Sequence, residues 1–291
     1  MLPLEAVPNF SEGRDLATIA AIGEAFASRA RILDVHSDAD HNRSVFTLVG
    51  SEDELVDALV AGVHVARERI DLRDHGGAHP RIGAADVIPI VPIAAGDLER
   101  ARAAARRLGE QIGALGLPVF MYEPPARGPA FYRRGGTEAL AQRLAGRELV
   151  PDFGPPQLDP SAGGVIIGAR RPLIAFNVNL RGTLETAQAI AAVVREKGGG
   201  FPGVRALGLE LPSLGLVQVS MNVEDWEAAA LHEVVARIHA EAAERGAEVA
   251  GSELVGLLPA GAAVRVAGAA LGIDGFDASH VLELRLLEDQ R

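Results

Sequence analysis

One order of elements occurs twice along this chain, and it restricts the fold more than any other feature of the sequence. Short apolar runs rich in Val, Ile and Phe alternate with longer runs whose apolar residues recur at helical spacing. Both halves give the order β-α-β-β-α-β, although their residues show no clear repeat. The sequence therefore predicts an α+β fold of two ferredoxin-like (βαββαβ) units, with helices on one face of each sheet. The runs cover residues 4–10, 15–30, 31–38, 43–50, 53–70 and 86–93, and then 172–180, 183–198, 203–211, 215–223, 224–246 and 248–259.

The segments outside the two units also have predicted structures. A helix at residues 97–114, a strand at 117–122 and a short helix at 137–144 follow the first unit. Residues 150–164 are rich in proline and lack periodicity, which predicts a long ordered loop or a connector between domains. The tail has the pattern of a helix near residues 260–270 and of a strand at residues 280–287.

The bulk composition excludes several classes of protein. The 291 residues have a formal net charge of −11, which argues against nucleic-acid binding through phosphate neutralisation. There is no cysteine, so disulfides, thiolate metal sites and a cysteine nucleophile are impossible. The first residues do not read as a secretory signal, and no run of about 18 apolar residues occurs. We therefore expect a soluble, cytoplasmic protein that binds neither nucleic acid nor a membrane.

A glycine-rich loop at residues 71–84, the histidine loop, holds two histidines at the i, i+4 spacing of a helical zinc pair, His75 and His79. Gly76, Gly77 and Pro80 disfavour a helix there, so this spacing loses its geometric meaning. A loop histidine with neighbouring aspartates could still bind zinc opportunistically, but we predict no metal as part of the working site. The aspartates concerned are Asp74 and Asp86.

His79 differs from His75 because it directly precedes Pro-Arg at the entrance to an apolar strand. Proline fixes the local backbone, and loops on a rigid scaffold often have functional roles. Imidazole titrates near neutral pH, so it can take a proton in one step and return it in the next. The residues alone leave a catalytic and a structural role for His79 equally open. The sequence lacks a Walker Gly-Lys-Ser/Thr motif and a Gly-x-Ser-x-Gly elbow, which argues against nucleotide binding and a serine nucleophile.

Several motifs resemble those of the glutamate formimidoyltransferase (formiminotransferase) family. They occur in the same order as in that family and extend from residue 7 to about residue 260. Animal members are fused to a cyclodeaminase domain, which we expect to be absent from this shorter chain. The motifs are VPNFSEGRD, LDVHSDADHNRSVFTLVG, HGGAHPRIGAADVIPIVPI, PDFGP with DPSAGG, LIAFNVNL, QVSMNV and GSELVGLLP.

The resemblance implies a fold and an activity. Members of this family are homodimers whose transferase unit has two α/β subdomains, here expected at residues 1–171 and 172–291. Folate lies in a groove between the sheets of the two subdomains. The reaction moves a formimino group between N-formimino-L-glutamate and tetrahydrofolate, so tetrahydrofolate is a co-substrate. The catalytic histidine of the family belongs to a His-Pro-Arg-x-Gly motif, which matches His79.

The resemblance also implies binding residues. The folate-binding segment of the family matches residues 154–163, although residues 156–159 and Ala162 depart from its pattern. The best matches there are Gly154, Pro155, Pro160, Ser161 and Gly163. Some members have an aspartate at the position of His36, so no role is transferred to that residue.

The two substrates have carboxylates and polar rings that need partners. Arg43 and Arg81 offer the planar fork that suits a carboxylate, and asparagine side chains could bond to the pterin or to glutamate. Arg43 could instead form a surface ion pair. The candidate asparagines are Asn42, which could also be a turn residue, and Asn177 and Asn179, whose alternate spacing puts both on one strand face.

The sequence leaves alternatives within and outside this class of enzyme. A relative that transfers formyl, or that uses glycine in place of glutamate, would depend on a few contacts that cannot be assigned from the sequence. A folate-binding protein without activity would not need His79 in its Pro-Arg context. An interaction module without a ligand would explain neither the glycine-rich and proline-rich loops nor the dense motifs. His75 stays unassigned, with orientation of the loop as its simplest role.

Overall fold

The computed structural model describes residues 2–123 and 127–288. The chain divides into two compact units, Met1–Pro172 and Leu173–Arg291, and each has its own sheet. The predicted α+β class is confirmed. Among the described residues, no helix is both long and apolar enough to cross a membrane.

Seven strands in the described part of the first unit form one mixed sheet. β3, β4, β5 and the interrupted first strand pair antiparallel, whereas β5, β7 and β6 run parallel. The predicted strand at residues 4–10 is broken at Val7 and Pro8, and both of its parts lie between β4 and β5. The strands are β1 (Leu4–Ala6), β2 (Asn9–Phe10), β3 (Arg31–Asp38), β4 (Arg43–Gly50), β5 (Ala85–Pro92), β6 (Val119–Tyr122) and β7 (Val165–Ala169).

Two helices of the first unit begin at the caps that the sequence predicts. Asp15 accepts a hydrogen bond from the Ala17 amide at the start of α1, as predicted. Ser51 and Glu54 form the predicted capping box at the start of α2. The helices are α1 (Leu16–Ala27), α2 (Glu52–Arg69), α3 (Leu98–Ala114), α4 (Pro129–Arg133) and α5 (Gly136–Ala145).

Helices cover both faces of the parallel part of this sheet, so the prediction of helices on one face is wrong there. Ile88 and Ile167 face the core under α1, α2 and α3, whereas Phe120 and Ile166 face a second apolar cluster. That second cluster includes Tyr132 of α4 and residues of α5. The physical reason is that parallel strands are normally buried on both faces, and all eight residues of β5 are buried.

The second unit has the predicted βαββαβ order without interruption. Its strands have the order β11-β8-β10-β9 and all pair antiparallel. One face is covered by α6 and α7, which supply the apolar side chains that pack on the sheet. The elements are β8 (Ile174–Arg181), α6 (Leu184–Val194), β9 (Val204–Leu211), β10 (Leu216–Val223), α7 (Leu231–Glu244), β11 (Glu248–Val255), α8 (Ala260–Leu271) and α9 (Leu282–Glu288).

One further prediction was wrong, and two elements of the fold were not predicted. The predicted strand at residues 280–287 is mostly helical, because α9 begins at Leu282. Leu, Glu and Arg alternate there with the period of a strand, but all three are strong helix formers, and their propensity determines the structure. Neither α4 nor β7 was predicted.

Residues 150–164, which the structure describes throughout, contain isolated bridges but no helix or longer strand, as expected for a loop.

The aromatic centre of the first unit leads to a prediction about two helical glycines. Phe10, Phe26 and Phe46 pack with ring centroids 5.1 to 5.8 Å apart. A Cβ on Gly62 would lie 2.2 Å from the Phe26 ring, whereas a Cβ on Gly23 would lie 3.6 Å from Phe46. Gly62→Ala should therefore lower the free energy of unfolding by about 1–3 kcal/mol through overpacking. Gly23→Ala should raise it by up to about 1 kcal/mol through helix propensity.

Denaturant titrations of both variants and the parent protein would measure these changes. The two substitutions are the same change in neighbouring helices, so each controls for the other. Equal unfolding midpoints in the two variants would contradict the close approach of α2 to Phe26.

Candidate active site

The histidine loop begins with a 3-10 turn at Leu72–Asp74, and it is not helical between His75 and His79. The sequence-based prediction that the two histidines do not share a helix is therefore confirmed. Arg81 lies inside the loop and donates hydrogen bonds to three backbone carbonyls, those of His41, Asn42 and His79, at 2.6 to 3.2 Å. The guanidinium of Arg81 thus fixes the path of the loop against the turn that precedes β4.

Gly77 explains why this loop needs glycine. A Cβ at Gly77 would lie 2.3 Å from Nη2 of Arg81 and 2.4 Å from the His41 carbonyl oxygen. The adjacent Gly76 has no atom within 4 Å of such a Cβ. The requirement for glycine is therefore steric at Gly77, where the backbone approaches the arginine that orders the loop.

A buried carboxylate lies directly behind the loop. Asp86, near the start of β5, is fully buried and accepts hydrogen bonds from Nη2 of Arg43 at 2.9 Å and Nη2 of Arg133 at 2.5 Å on the same oxygen, Oδ2. Its other oxygen accepts from the Ile82 amide at 2.9 Å. Arg43 and Arg133 are here called the arginine pair.

The charges of this cluster are strongly coupled. Burial by itself raises the pKa of Asp86, but Arg133 and Arg43 outweigh it and hold that pKa at about 2. Burial lowers the pKa of Arg43 to about 10, against the opposing effect of Asp86. Asp86 and Arg43 are therefore both charged at neutral pH, and two guanidinium groups share one carboxylate.

Arg43 connects this cluster to His79. Nη1 of Arg43 lies 3.2 Å from Nδ1 of His79, and the Pro80 carbonyl oxygen lies 2.8 Å from the same nitrogen. The guanidinium only donates and the carbonyl only accepts, so Nδ1 cannot form both hydrogen bonds at once. The shorter contact assigns a proton to Nδ1, which leaves the lone pair on Nε2.

The environment of His79 favours the neutral imidazole. Burial lowers the pKa of His79 well below its usual value, and the positive charges of Arg43 and Arg133 lower it further. Asp86 and the Pro80 carbonyl act in the opposite direction but do not compensate. At neutral pH the ring can therefore accept a proton at Nε2, as a general base must.

Two further histidines lie near this ring. The His41 ring is tilted by 36° to the His79 ring, with centroids 6.0 Å apart. His75 lies against Nη1 of Arg81 and Nδ2 of Asn42, at 2.9 Å in both cases. Burial and the charge of Arg81 lower the pKa of His75. These contacts make His75 part of the ordered loop.

Both the backbone conformation and the side-chain hydrogen bonds of Asn42 fix its position. It is buried and has a positive φ of 47°, which asparagine tolerates better than most residues. Its Oδ1 accepts a hydrogen bond from the Gly13 amide at 2.9 Å, and its Nδ2 donates to the Gly76 carbonyl at 3.1 Å. The turn role considered from the sequence therefore fits Asn42.

The segment matched to folate binding lies against the histidine loop. The Leu72 amide donates to the Ser161 carbonyl, and the Ala84 amide donates to the Ala162 carbonyl, at 2.8 and 2.9 Å. Gly154 and Gly163 have positive φ, and a Cβ on either would lie 2.1 Å from a carbonyl oxygen. The fold thus brings residues 154–163 beside residues that lie about 80 positions earlier in the sequence. Pro155 and Pro160 belong to this same irregular segment.

Asn177 and Asn179 lie in the second unit, on the face of β8 opposite to the buried Val178 and Leu180. Nδ2 of Asn177 donates to Oε2 of Glu253 at 2.9 Å. Oδ1 of Asn179 accepts from Nε2 of Gln218, also at 2.9 Å. These asparagines therefore belong to a polar row across three strands, and this row is on the sheet face away from α6 and α7.

The zinc alternative gains no support from the geometry. Among the described residues, no group of three or more His, Asp or Glu side chains could hold a metal ion. Asp86 already accepts from the arginine pair and from a backbone amide, while Asp74 is exposed. His36 lies on β3, in register with Val45 of β4.

The sequence did not identify Asp86 and Arg133 as partners of His79. Asp86 offered a signal, because a charged residue inside an apolar run is buried only when it is paired. Arg133 offered none, since its position depends on α4, which the sequence pattern did not predict. Only the fold shows that both residues lie beside the histidine loop.

Substitution of Asp86 should strongly destabilise the protein. Asp86→Asn keeps the shape of the side chain but leaves two buried guanidinium groups without their carboxylate, which should cost about 3–5 kcal/mol. The exposed Asp74 provides a control, and Asp74→Asn should change stability by no more than about 0.5 kcal/mol. Thermal and denaturant unfolding of the two variants at pH 7 would measure this, and equal stabilities would contradict the charge coupling.

The family of this chain is apparent from its similarity to known proteins. The model of the formiminotransferase domain, N-terminal subdomain, matches residues 3–170, and that of the formiminotransferase domain matches residues 175–271. Together these two models cover most of both compact units.

Three relatives show how far the similarity extends. Glutamate formimidoyltransferase from Streptococcus pyogenes serotype M1 is 39% identical, over 98% of both chains. The enzyme of the same name from Thermoplasma acidophilum is 40% identical, over 97% of both chains. Formimidoyltransferase-cyclodeaminase from Rattus norvegicus is 40% identical over 88% of this chain, but the match covers only 50% of that protein. The resemblance seen in the motifs is thus confirmed, and the chain belongs to the formiminotransferase family.

Proposed function

We propose that this chain transfers the formimino group between N-formimino-L-glutamate and tetrahydrofolate, giving 5-formiminotetrahydrofolate and L-glutamate. The observation that supports this most is the similarity, over nearly the whole chain, to two proteins named glutamate formimidoyltransferase. Tetrahydrofolate is the co-substrate of this reaction. By the same resemblance, we expect a cytoplasmic homodimer.

The chemistry requires one group that both takes and returns a proton. N5 of tetrahydrofolate attacks the formimino carbon, and a tetrahedral intermediate forms. The attacking nitrogen loses a proton, and the departing glutamate nitrogen gains one as the intermediate collapses. A neutral imidazole can accept the first proton and supply the second.

His79 is our choice for this general base and acid. Its low pKa keeps the ring neutral before the reaction, and a proton on Nδ1 leaves Nε2 free to accept. The same positive surroundings make the protonated ring a strong acid, which favours return of the proton to the leaving nitrogen. The arginine pair therefore supports both halves of the cycle.

The remaining candidate residues have supporting roles in this proposal. The guanidinium of Arg81 bonds to the loop backbone and to His75, so we assign it to positioning His79 rather than to a substrate carboxylate. Asn42 and His75 act in the same way. We assign Arg43 to control of the charge state of His79, because its three donor nitrogens face Asn9, His79 and Asp86.

Folate binding is assigned to the segment that lies against the histidine loop. Gly154 and Gly163 let the backbone of this segment approach neighbouring carbonyls, while Pro155 and Pro160 stiffen it. The amide and hydroxyl of Ser161 donate to Asp159 Oδ1, at 3.0 and 3.1 Å, so this side chain orders the loop. Asn177 and Asn179 are proposed to contact substrate from the sheet face on which they lie.

Loss of the imidazole tests both the activity and its mechanism. The parent protein should form 5-formiminotetrahydrofolate from tetrahydrofolate and formiminoglutamate, faster than any product forms from formylglutamate or formiminoglycine. His79→Ala should lower kcat by about 10²- to 10⁴-fold while folate still binds. His64, whose side chain is 60% exposed, provides a matched control, and His64→Ala should retain the activity of the parent.

Two results would contradict these assignments. Failure of the folded parent to form the product would remove the proposed activity. Near-full activity in His79→Ala would leave the transfer in place but remove His79 as the general base.

The charge of Arg43 should determine the pH below which kcat/KM declines. Because the pKa of His79 lies well below 6.5, the base form persists, and kcat/KM of the parent should decline only at correspondingly low pH. Arg43→Gln removes a cation that lowers this pKa, so the acid limb of the profile should move to higher pH. Arg43→Lys keeps the charge and should move the limb less.

Nuclear magnetic resonance titration of the His79 ring in the same variants would report the pKa directly. An acid limb at the same pH in the parent and in Arg43→Gln would contradict control by Arg43.

A further inference from the structure

The two members of the arginine pair differ in how many of their donors are engaged. Arg43 donates from Nε to Asn9 at 3.0 Å and from Nη2 to Asp86 at 2.9 Å, and its Nη1 faces His79. Arg133 donates from Nη2 to Asp86. Its Nε is buried but has no hydrogen-bond partner among the described residues. A buried donor of this kind normally has a partner, so Arg133 is the member of the pair with unused donor capacity.

The charge balance around Arg133 favours an anionic ligand. The arginine pair contributes two positive charges, and Asp86 supplies only one negative charge. His79 does not compensate, because it is neutral or positive. Arg81 is a further cation in these surroundings. Its guanidinium interacts electrostatically with both Asp86 and Arg133. An anion bound here would relieve a partly buried excess of positive charge.

Arg133 is also accessible enough for a ligand to reach it. Its side chain is 14% exposed, whereas the Asp86 side chain beside it is fully buried. The planar guanidinium fork fits a carboxylate through two parallel hydrogen bonds. Arg133 shares Oδ2 of Asp86 with Arg43, whose Nη1 lies 3.2 Å from Nδ1 of His79, so an anion held by Arg133 would lie near the proposed general base.

The covalent structure of the proposed donor decides which carboxylate reaches this place. In N-formimino-L-glutamate, the reacting nitrogen is attached to Cα, and the α-carboxylate is attached to that same carbon. The γ-carboxylate lies at the other end of the side chain. When the reacting nitrogen lies at His79, the α-carboxylate is therefore the carboxylate that must lie close to the ring, within reach of the neighbouring arginine pair.

We propose that Arg133 binds the α-carboxylate of the amino-acid substrate and so holds its reacting nitrogen at His79, an inference that rests on the proposed function. Arg43 and Asp86 fix the orientation of the Arg133 fork from behind. Recognition of the side chain of the amino acid is then separate, and it depends on other residues. Arg133 is thus a binding residue for any N-formimino amino acid with a free α-carboxylate.

Substrates with one carboxylate converted to an amide provide the test. N-formimino-L-isoglutamine has an α-amide, and N-formimino-L-glutamine has a γ-amide; both keep the reacting group. In the parent, the α-amide should lower kcat/KM by about 10- to 100-fold, the range expected for a lost charge-assisted pair. In Arg133→Gln, N-formimino-L-glutamate should react as slowly as its α-amide. The effect of the γ-amide should be the same in the parent and in Arg133→Gln.

The comparison of three substrates separates binding from a purely structural role. A structural defect in Arg133→Gln would slow all three substrates alike and leave the α-amide penalty intact, which would overturn the proposal. Arg133→Lys keeps the charge and should restore part of the preference for N-formimino-L-glutamate over its α-amide. It serves as the second variant if Arg133→Gln does not fold. Equal rates for the free acid and the α-amide in the parent would overturn the proposal without any variant.

The same experiment distinguishes the inference from the activity on which it rests. If the parent forms 5-formiminotetrahydrofolate but Arg133→Gln keeps the α-amide penalty, only the role of Arg133 fails. If the folded parent forms no product from N-formimino-L-glutamate, the proposed function fails and the role of Arg133 fails with it.

Discussion

The candidate site is arranged around one buried charge, that of Asp86, and the groups that neutralise it. A carboxylate without solvent is stable only when its charge and its lone pairs are satisfied, and Asp86 meets this with two guanidinium groups and the Ile82 amide. These bonds fix Arg43 beside His79 and fix the end of the histidine loop to β5. The electrostatic state of His79 is therefore a consequence of how Asp86 is buried. The same contacts that stabilise the fold also lower the pKa of the imidazole.

The parallel extension of the first sheet makes this arrangement possible. β7 and β6 continue the sheet beyond β5, and α4 and α5 pack on the face that a simple ferredoxin-like unit would leave open. Arg133 reaches Asp86 from α4. The loop before β7 bonds to Leu72 and Ala84, which brings residues 154–163 against the histidine loop. The extra elements therefore supply one of the two cations beside Asp86 and position the segment for which we propose folate binding.

Local patterns predicted much of the fold, because caps and periodicity depend on residues that are close in sequence. Ser51 with Glu54, Asp15, and the full βαββαβ order of the second unit are of this kind. The region around Leu282 shows the limit, since an alternating pattern of strong helix formers fits two structures. Contacts such as Arg133 with Asp86 depend on tertiary packing, which a single sequence does not show. His79 was found from its motif, but the reason for its low pKa was not.

The cluster around Asp86 draws its members from widely separated parts of the chain, from Asn9 to Arg133. During synthesis, Asp86 and Arg43 emerge well before Arg133, and β7 follows later still. Contacts between residues this far apart in the sequence form only when long loops close, at a cost in chain entropy. Until α4 docks, the carboxylate lacks one of its cations and the sheet lacks the cover over its second face. A chain that stops before α4 would therefore bury Asp86 with only one of its two cations and would leave the second apolar face of the sheet uncovered.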